Sequence, residues 1–149
     1  MVLDERTAVI PDVVEDELKV KAHEHGFLHA VLQTPWIECR TLQSDLELEA
    51  FAQYSARLVA KGRNVGEAGV LAYASSHRAL AVIDDGAGRR AARDTGVHVI
   101  GTLGLLVETI RLDLLSVAAV SHVADALVAG EYRLPFEPGG FAEWYRANF

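Results

Sequence analysis

The stretch LAVIDDGAGRRAARDTGVHVI, residues 80–100, decides the fold class of this chain. It opens with a continuous apolar run, which is typical of a parallel strand that is buried on both faces. Gly86-Ala87-Gly88 predicts a turn that leads into a short helix, and Gly96 predicts the end of that helix. The apolar run over 97–100 predicts the next strand. Because strand, helix and strand alternate, the stretch predicts an α/β fold with a mainly parallel sheet.

The segments on either side continue this alternation. Upstream, the sequence predicts an apolar strand that ends at Pro11, a helix that stops by Gly26, a half-buried strand over 36–42, a capping-box helix from Ser44 to about Ala60, and a helix over 66–77. Downstream, it predicts a helix over 101–112, a helix from Ser116 to about Val128, and an aromatic docking helix within 135–149.

Length, composition and charge indicate one globular domain over residues 1–149. The chain is 50% hydrophobic and 23% charged, which excludes disorder. Its formal net charge of -7 argues against a nucleic-acid coat or a polybasic membrane binder, but not against a nuclease whose acids hold metal ions. No apolar run is long enough for a membrane span, so we expect no membrane partner. The single cysteine, Cys39, suits a reducing cytoplasm, where we expect the protein to act.

Acidic residues follow the carboxyl ends of the predicted strands, where parallel α/β sheets bind ligands. Asp84 and Asp85 end the strand over 80–84, Glu67 lies in the first turn of the preceding helix, and Glu17 lies in the helix after Pro11. Converging carboxylates are stable when they are protonated or hold a divalent cation, and hard oxygen ligands select Mg²⁺ or Mn²⁺. Such an ion can activate water for attack on phosphorus. The alternative is that these acids only complement helix dipoles.

Basic residues surround the predicted acidic edge: Lys61, Arg63, Arg89, Arg90 and Arg93. Arginine binds phosphate through two parallel hydrogen bonds, so these side chains could position an RNA backbone. The alternative is a solvated face that balances the local acids.

Other motifs favour structural interpretations. Residues 86–91 fit G-x-G-x-x-A, but the two preceding aspartates would repel a pyrophosphate, so a plain turn is favoured over a dinucleotide site. His25 and His29 are four apart, but Gly26 breaks the helix between them, so a surface cluster is favoured over a metal site. For Cys39 we expect a small core residue, with a reactive thiol as the alternative. The amphipathic segments 45–60 and 116–128 are expected to face the core, or to form part of a dimer interface.

Several motifs, taken together, resemble the PIN-like nuclease families, and among them the DUF3368 branch. They are an IP..V..EL segment over 10–18, Gly-Glu-Ala at 66–68, Asp-Asp at 84–85 followed by RRAA at 89–92 and Gly96, and GTLG at 101–104. The resemblance implies a three-layer α/β/α domain with Mg²⁺- or Mn²⁺-dependent ribonuclease activity, commonly a toxin that a small antitoxin protein restrains. It also implies Glu17, Glu67 and Asp84 as metal ligands, Asp85 as an auxiliary acid, and hydrolysis of RNA by metal-activated water.

The chain departs from the PIN-like pattern at its start. Such domains open with a hydrophobic strand that ends in an aspartate and is followed by a helix. Met1-Val2-Leu3-Asp4 is similar to that strand, but only six residues separate Asp4 from Pro11. A parallel crossover needs about a dozen residues, so we expect an N-terminally shortened domain with an incomplete acidic site.

This departure leaves a second function open and gives two further expectations. The alternative function is a catalytically silent module that binds a protein partner or its own copy. We expect a homo-oligomer, because a missing strand and helix would leave apolar surface uncovered. We also expect Glu17, Glu67 and Asp84 to face one cleft, with Asp85 nearby and Arg89 or Arg90 at its rim, because carboxylates that share an ion must lie within a few ångströms of one another.

Overall fold

Parallel strand pairs joined by helices form the framework that carries the predicted acidic edge. The structure, a computed structural model, describes residues 7–60 and 63–149. The predictions made for Lys61 and for the opening segment through Asp4 lie outside these residues. The predicted α/β class is confirmed by the observed strands and helices.

The described residues form two compact units. The first, within 7–101, contains β1 (Ala8–Pro11), α1 (Asp12–Ala22), α2 (Leu28–Leu32), β2 (Ile37–Arg40), α3 (Asp45–Leu58), α4 (Val65–His77), β3 (Ala81–Val82), α5 (Gly86–Asp94) and β4 (Val99–Ile100). The second contains α6 (Thr102–Arg111), α7 (Val117–Ala129) and α8 (Phe141–Asn148).

Both strand pairs of the first unit are parallel. β1 pairs with β2 from Ala8 opposite Ile37 to Pro11 opposite Arg40, and β3 pairs with β4 from Ala81 opposite Val99. Each pair is joined through helices, as a parallel crossover requires. Within the described ranges these pairs are separate two-stranded sheets. Parallel pairing, which the sequence predicted, is confirmed.

Helix α4 forms the centre of the core of the first unit. Its Ala68, Leu71 and Ala72 are completely buried. The small alanine side chains let the neighbouring helices approach closely. Gly69 shows how close this approach is, since a Cβ atom there would lie 2.3 Å from Val13 Cγ2 of α1. The position of α4 is therefore fixed by contacts with the helix that carries Glu17.

The local signals for helix ends are confirmed. Ser44 Oγ accepts a hydrogen bond from the Glu47 backbone at 3.3 Å, and Glu47 Oε2 accepts one from the Ser44 backbone at 2.8 Å, which completes the capping box of α3. Gly96 has a φ of +74° just after α5, where most side chains would be strained. These ends depend on neighbouring residues only, and for that reason the sequence predicts them well.

Two predictions of burial are wrong. Ala81 and Ile83 are 1% and 5% exposed, but Leu80 and Val82 are each 43% exposed. Side chains of a strand point alternately to its two faces, and in β3 one face packs on the core while the other faces solvent. Cys39 is exposed and is not a core residue. In β2, Ile37 and Glu38 are partly buried, and the last two residues, Cys39 and Arg40, are exposed.

The predicted glycine turn before α5 is also wrong in its position. Gly86 and Gly88 lie inside the first turn of α5, and Asp85 is its N-cap residue. The carboxylate of Asp85 accepts a hydrogen bond from the Gly88 backbone at 2.8 Å, so α5 starts at the next residue, Gly86, without a separate glycine turn.

The second unit contains the predicted aromatic docking helix. Phe141 of α8 is completely buried and packs with Val120 and Ala124 of α7. Phe136 and Trp144 surround its ring at centroid distances of 5.7 and 6.0 Å. Across the described residues, no helix is long and apolar enough to cross a membrane.

Candidate functional site

Glu17 reaches from α1 to the first turn of α4. Its Oε1 accepts a hydrogen bond from the Gly66 backbone N–H at 3.0 Å. A Cβ atom at Gly66 would lie 3.0 Å from Glu17 Oε2, so the absence of a side chain lets the carboxylate lie against the backbone. Because Glu67 is the next residue, this contact connects the two predicted acids through the start of α4.

Glu67 and Asp85 meet at Gly88 of α5. A Cβ atom at Gly88 would lie 3.5 Å from Glu67 Cγ, and the Gly88 N–H donates to Asp85 Oδ2. The side-chain stem of Glu67 and the carboxylate of Asp85 therefore lie on the same turn. A side chain at position 88 would disturb the packing of Glu67, and also that of Ile83, whose Cγ2 would be 2.9 Å away.

Asp84 and Arg89 converge over Gly101, at the end of β4. A Cβ atom at Gly101 would lie 2.7 Å from Asp84 Oδ1 and 3.4 Å from Arg89 Nη1. The Arg89 Nε is buried and has no hydrogen-bond partner among the described residues. A guanidinium group placed in this way brings positive charge to the carboxylate edge.

The remaining predicted arginines lie on the surface. Arg90 is exposed, and a Cβ atom at Gly86 would lie 3.4 Å from its Nη1. Arg63 is exposed in the segment before α4. Both side chains are accessible to a phosphate group, but no contact in the described residues links Arg63 to the acids.

The structure thus brings the predicted acids to one edge of the first unit but does not gather them into a metal site. Among residues 7–60 and 63–149, no group of three His, Cys, Asp or Glu side chains is placed to hold a metal ion, and this includes His25 and His29. Carboxylate oxygens suit Mg²⁺ or Mn²⁺ chemically. The contacts of Glu17 and Asp85 are those of helix-capping groups. The assignment of catalytic and metal-binding residues stays a prediction.

The sequence analysis missed a partly buried hydrogen bond between α3 and α4. The Glu47 side chain is 8% exposed, and its Oε1 lies 2.8 Å from His77 Nε2. The His77 hydrogen bond, followed by those from Ser44 and the Gln43 backbone, lowers the pKa of Glu47 to about 2. The His77 ring stacks on Tyr73 at 4.2 Å. The capping-box motif predicts only the local contacts of Glu47, and no local signal predicts a partner 30 residues away.

Cys39 does not have the properties of a reactive thiol. Partial desolvation, followed by the nearby Glu15 carboxylate, raises the pKa of the Cys39 thiol above its usual range. A raised pKa leaves less thiolate, and the thiolate is the nucleophilic form. The reactive-thiol alternative therefore receives no support.

Comparison with known proteins identifies the sequence class of the chain. A family model described as DUF3368, a PIN domain, matches residues 3–137. No curated protein and no solved structure matches. The matched range includes every residue of the predicted acidic edge and continues into the second unit.

Proposed function

This chain belongs to the DUF3368 family of PIN domains, and from that membership we propose that it is a ribonuclease that depends on Mg²⁺ or Mn²⁺. PIN domains are generally nucleases, and they generally use divalent metal ions. The observation that carries the proposal is the position of Glu67, Asp84 and Asp85 where β3 ends and α5 begins. Parallel α/β folds bind their ligands at this edge.

The proposed roles follow the family resemblance except at Glu17, which the resemblance implies as a third metal ligand and which receives a different role below. Glu67 and Asp84 would offer hard oxygen ligands to the metal ion, and Asp85 would serve as an auxiliary acid. When bound, the ion would supply an activated water and charge stabilisation for cleavage of an RNA phosphodiester. Asp85 already has a defined task in this chain, since it caps α5 and so sets the position of the first turn against which Glu67 packs.

Arginines beside these acids would hold the RNA backbone. Arg89 has a buried Nε and brings its Nη1 to the same glycine that Asp84 contacts. In this arrangement the guanidinium would balance the carboxylate charge and, in the proposed complex, donate hydrogen bonds to a phosphate. Arg90 and Arg63, both exposed, would contact phosphates farther along the strand.

A cleavage assay tests the proposal directly. The full chain is incubated with end-labelled single-stranded RNA and Mn²⁺, with and without EDTA. We expect cleavage that EDTA stops and that Asp84→Asn abolishes. Asp16→Asn is the matched control, because its side chain is 77% exposed on α1 and its replacement should leave cleavage unchanged. An intact substrate with the wild-type chain, or equal cleavage by Asp84→Asn, would contradict the proposal.

A biological role as a toxin is part of the same proposal. The toxin would act on cytoplasmic RNA, and a small antitoxin protein would restrain it. Expression of the wild-type chain should then arrest the growth of host cells, and expression of Asp84→Asn should not. Equal growth with both chains, at equal protein levels, would contradict the toxin role.

The second candidate is a catalytically silent PIN module that binds a protein partner or its own copy. It is favoured by the lack, within the described ranges, of any group of three side chains that could hold a metal ion. Leu80, just before β3, and Val82 of β3 are both partly exposed, which also suits a self-association surface. This candidate would be supported by two results together. Calorimetry at millimolar Mn²⁺ would detect no heat of binding, and light scattering would give a mass above that of one chain. A monomer mass at every concentration would contradict homo-oligomerisation.

A further inference from the structure

We infer that Glu17 is a positioning residue, which caps helix α4 across the α1–α4 contact and is not a ligand of the metal ion. This inference deepens the proposed nuclease site and rests on it only for the metal-binding part of its test. It assigns to Glu17 a role different from the one that the family resemblance implies.

Helix α4 does not receive a cap from its own N-cap residue. The first N–H groups of any helix have no partner within the helix, and the side chain of the N-cap residue normally accepts one of their hydrogen bonds. Asn64 holds this position with a left-handed backbone, φ 65°, and its side chain makes no capping bond within the described residues. Its Nδ2 donates instead to the carbonyl of Leu58 at 3.3 Å. The start of α4 therefore needs an acceptor from another element.

Glu17 supplies this acceptor. Its Oε1 accepts the hydrogen bond from the Gly66 N–H at 3.0 Å. Its Oε2 would lie only 3.0 Å from a Cβ atom at position 66, so this position favours glycine. The carboxylate therefore lies close against Gly66, with Oε1 bound to its backbone N–H. The negative charge also complements the positive end of the α4 dipole. The close packing of Val13 on Gly69 holds α1 at the distance that this contact requires.

The cap fixes the backbone from which Glu67 projects. Glu67 directly follows Gly66, and its stem packs on Gly88, whose N–H is bound by the second capping carboxylate, Asp85. Glu67 is thus held between two capped helix starts, those of α4 and α5. Glu17 therefore affects the proposed site through this backbone contact.

Hydrogen exchange of the α4 amides tests the cap without reference to a metal. Wild type, Glu17→Ala, Glu17→Gln and the control Asp16→Ala are compared by mass spectrometry over residues 63–69 and by thermal unfolding. Glu17→Ala should speed exchange at Gly66 and lower Tm by about 3 °C, as the loss of a helix cap does. Glu17→Gln should lie much closer to wild type than Glu17→Ala, because the glutamine carbonyl accepts the same bond and only the charge at the helix start is lost. Unchanged exchange at Gly66 in Glu17→Ala would overturn the inference.

Titration with Mn²⁺ separates positioning from ligation. If Glu17 positions Glu67, Glu17→Ala lowers Mn²⁺ affinity, Glu17→Gln restores most of it, and Glu67→Gln loses about 10-fold or more. If Glu17→Gln loses as much affinity as Glu67→Gln, Glu17 is a ligand and the inference is wrong. If the wild-type chain binds no Mn²⁺, the proposed function fails, while the exchange experiment still decides whether Glu17 caps α4.

Discussion

Replacing Glu47 with glutamine should lower the free energy of unfolding by an amount that depends on pH. The folded protein lowers the pKa of Glu47 from 4.5 to about 2, chiefly through His77 and the backbone of Ser44. A shift of this size corresponds to about 3 kcal/mol if it is fully realised. The His77 side chain is 47% exposed, and solvent screens the pair, so we expect about 1–2 kcal/mol.

The sign of the pH dependence follows from the lowered pKa. The folded protein favours the charged form of Glu47, so its contribution is fully present above the unfolded value of 4.5 and is lost as the pH falls toward 2. Urea unfolding, followed by circular dichroism between pH 7 and pH 2.5, measures this contribution. The difference in unfolding free energy between wild type and Glu47→Gln should shrink as the pH falls.

A matched control on the same helix keeps this test specific. Glu49 is exposed on α3, where its carboxylate accepts a long hydrogen bond of 3.4 Å from the Gln53 side chain. Glu49→Gln should differ from wild type by a few tenths of a kcal/mol at every pH. If the difference between wild type and Glu47→Gln stays constant from pH 7 to pH 2.5, the charge of Glu47 does not stabilise the fold and the reasoning is refuted.

Three substitutions test the packing that supports the fold and the site. Phe141→Ala removes a completely buried ring and should cost about 3–5 kcal/mol in urea unfolding; a cost below about 1 kcal/mol would contradict the packing of α8. Gly69→Ala places a Cβ 2.3 Å from Val13 Cγ2 and should destabilise by about 1–3 kcal/mol, with recovery in the double variant with Val13→Ala; no recovery would place the strain elsewhere. Gly101→Ala places a Cβ 2.7 Å from Asp84 Oδ1 and should reduce Mn²⁺-dependent RNA cleavage while far-UV circular dichroism stays unchanged. If this variant cleaves RNA at the wild-type rate, activity does not depend on the position of Asp84, and the prediction is wrong.

Features that depend on neighbouring residues could be predicted from the sequence. The capping box at Ser44 and Glu47, the hydroxyl cap at Ser116 and the left-handed Gly96 are all observed. Each is decided within a few residues, because a cap or a positive φ satisfies local backbone groups. The position of Asp84 and Asp85 after β3 could be predicted for a similar reason, since polar residues directly follow an apolar strand.

Features that depend on contacts between distant segments could not be predicted. The exposure of Leu80 and Val82 is set by which face of β3 packs on the core, and an apolar run alone predicts burial on both faces. The contact of Glu47 with His77 and that of Glu17 with Gly66 join residues 30 and 49 positions apart. No pattern within one segment indicates such a pairing.

By itself, the sequence determined the α/β class, the family and the location of the acids near the strand ends, because all three follow from periodicity and local motifs. Only the tertiary structure decided which distant groups the carboxylates of Glu17 and Glu47 contact. The packing of α1 on α4 directs Glu17 to the Gly66 N–H, 49 positions along the chain. The physical reason is that a buried or half-buried carboxylate takes the nearest hydrogen-bond donor, and packing between helices decides which donor is nearest.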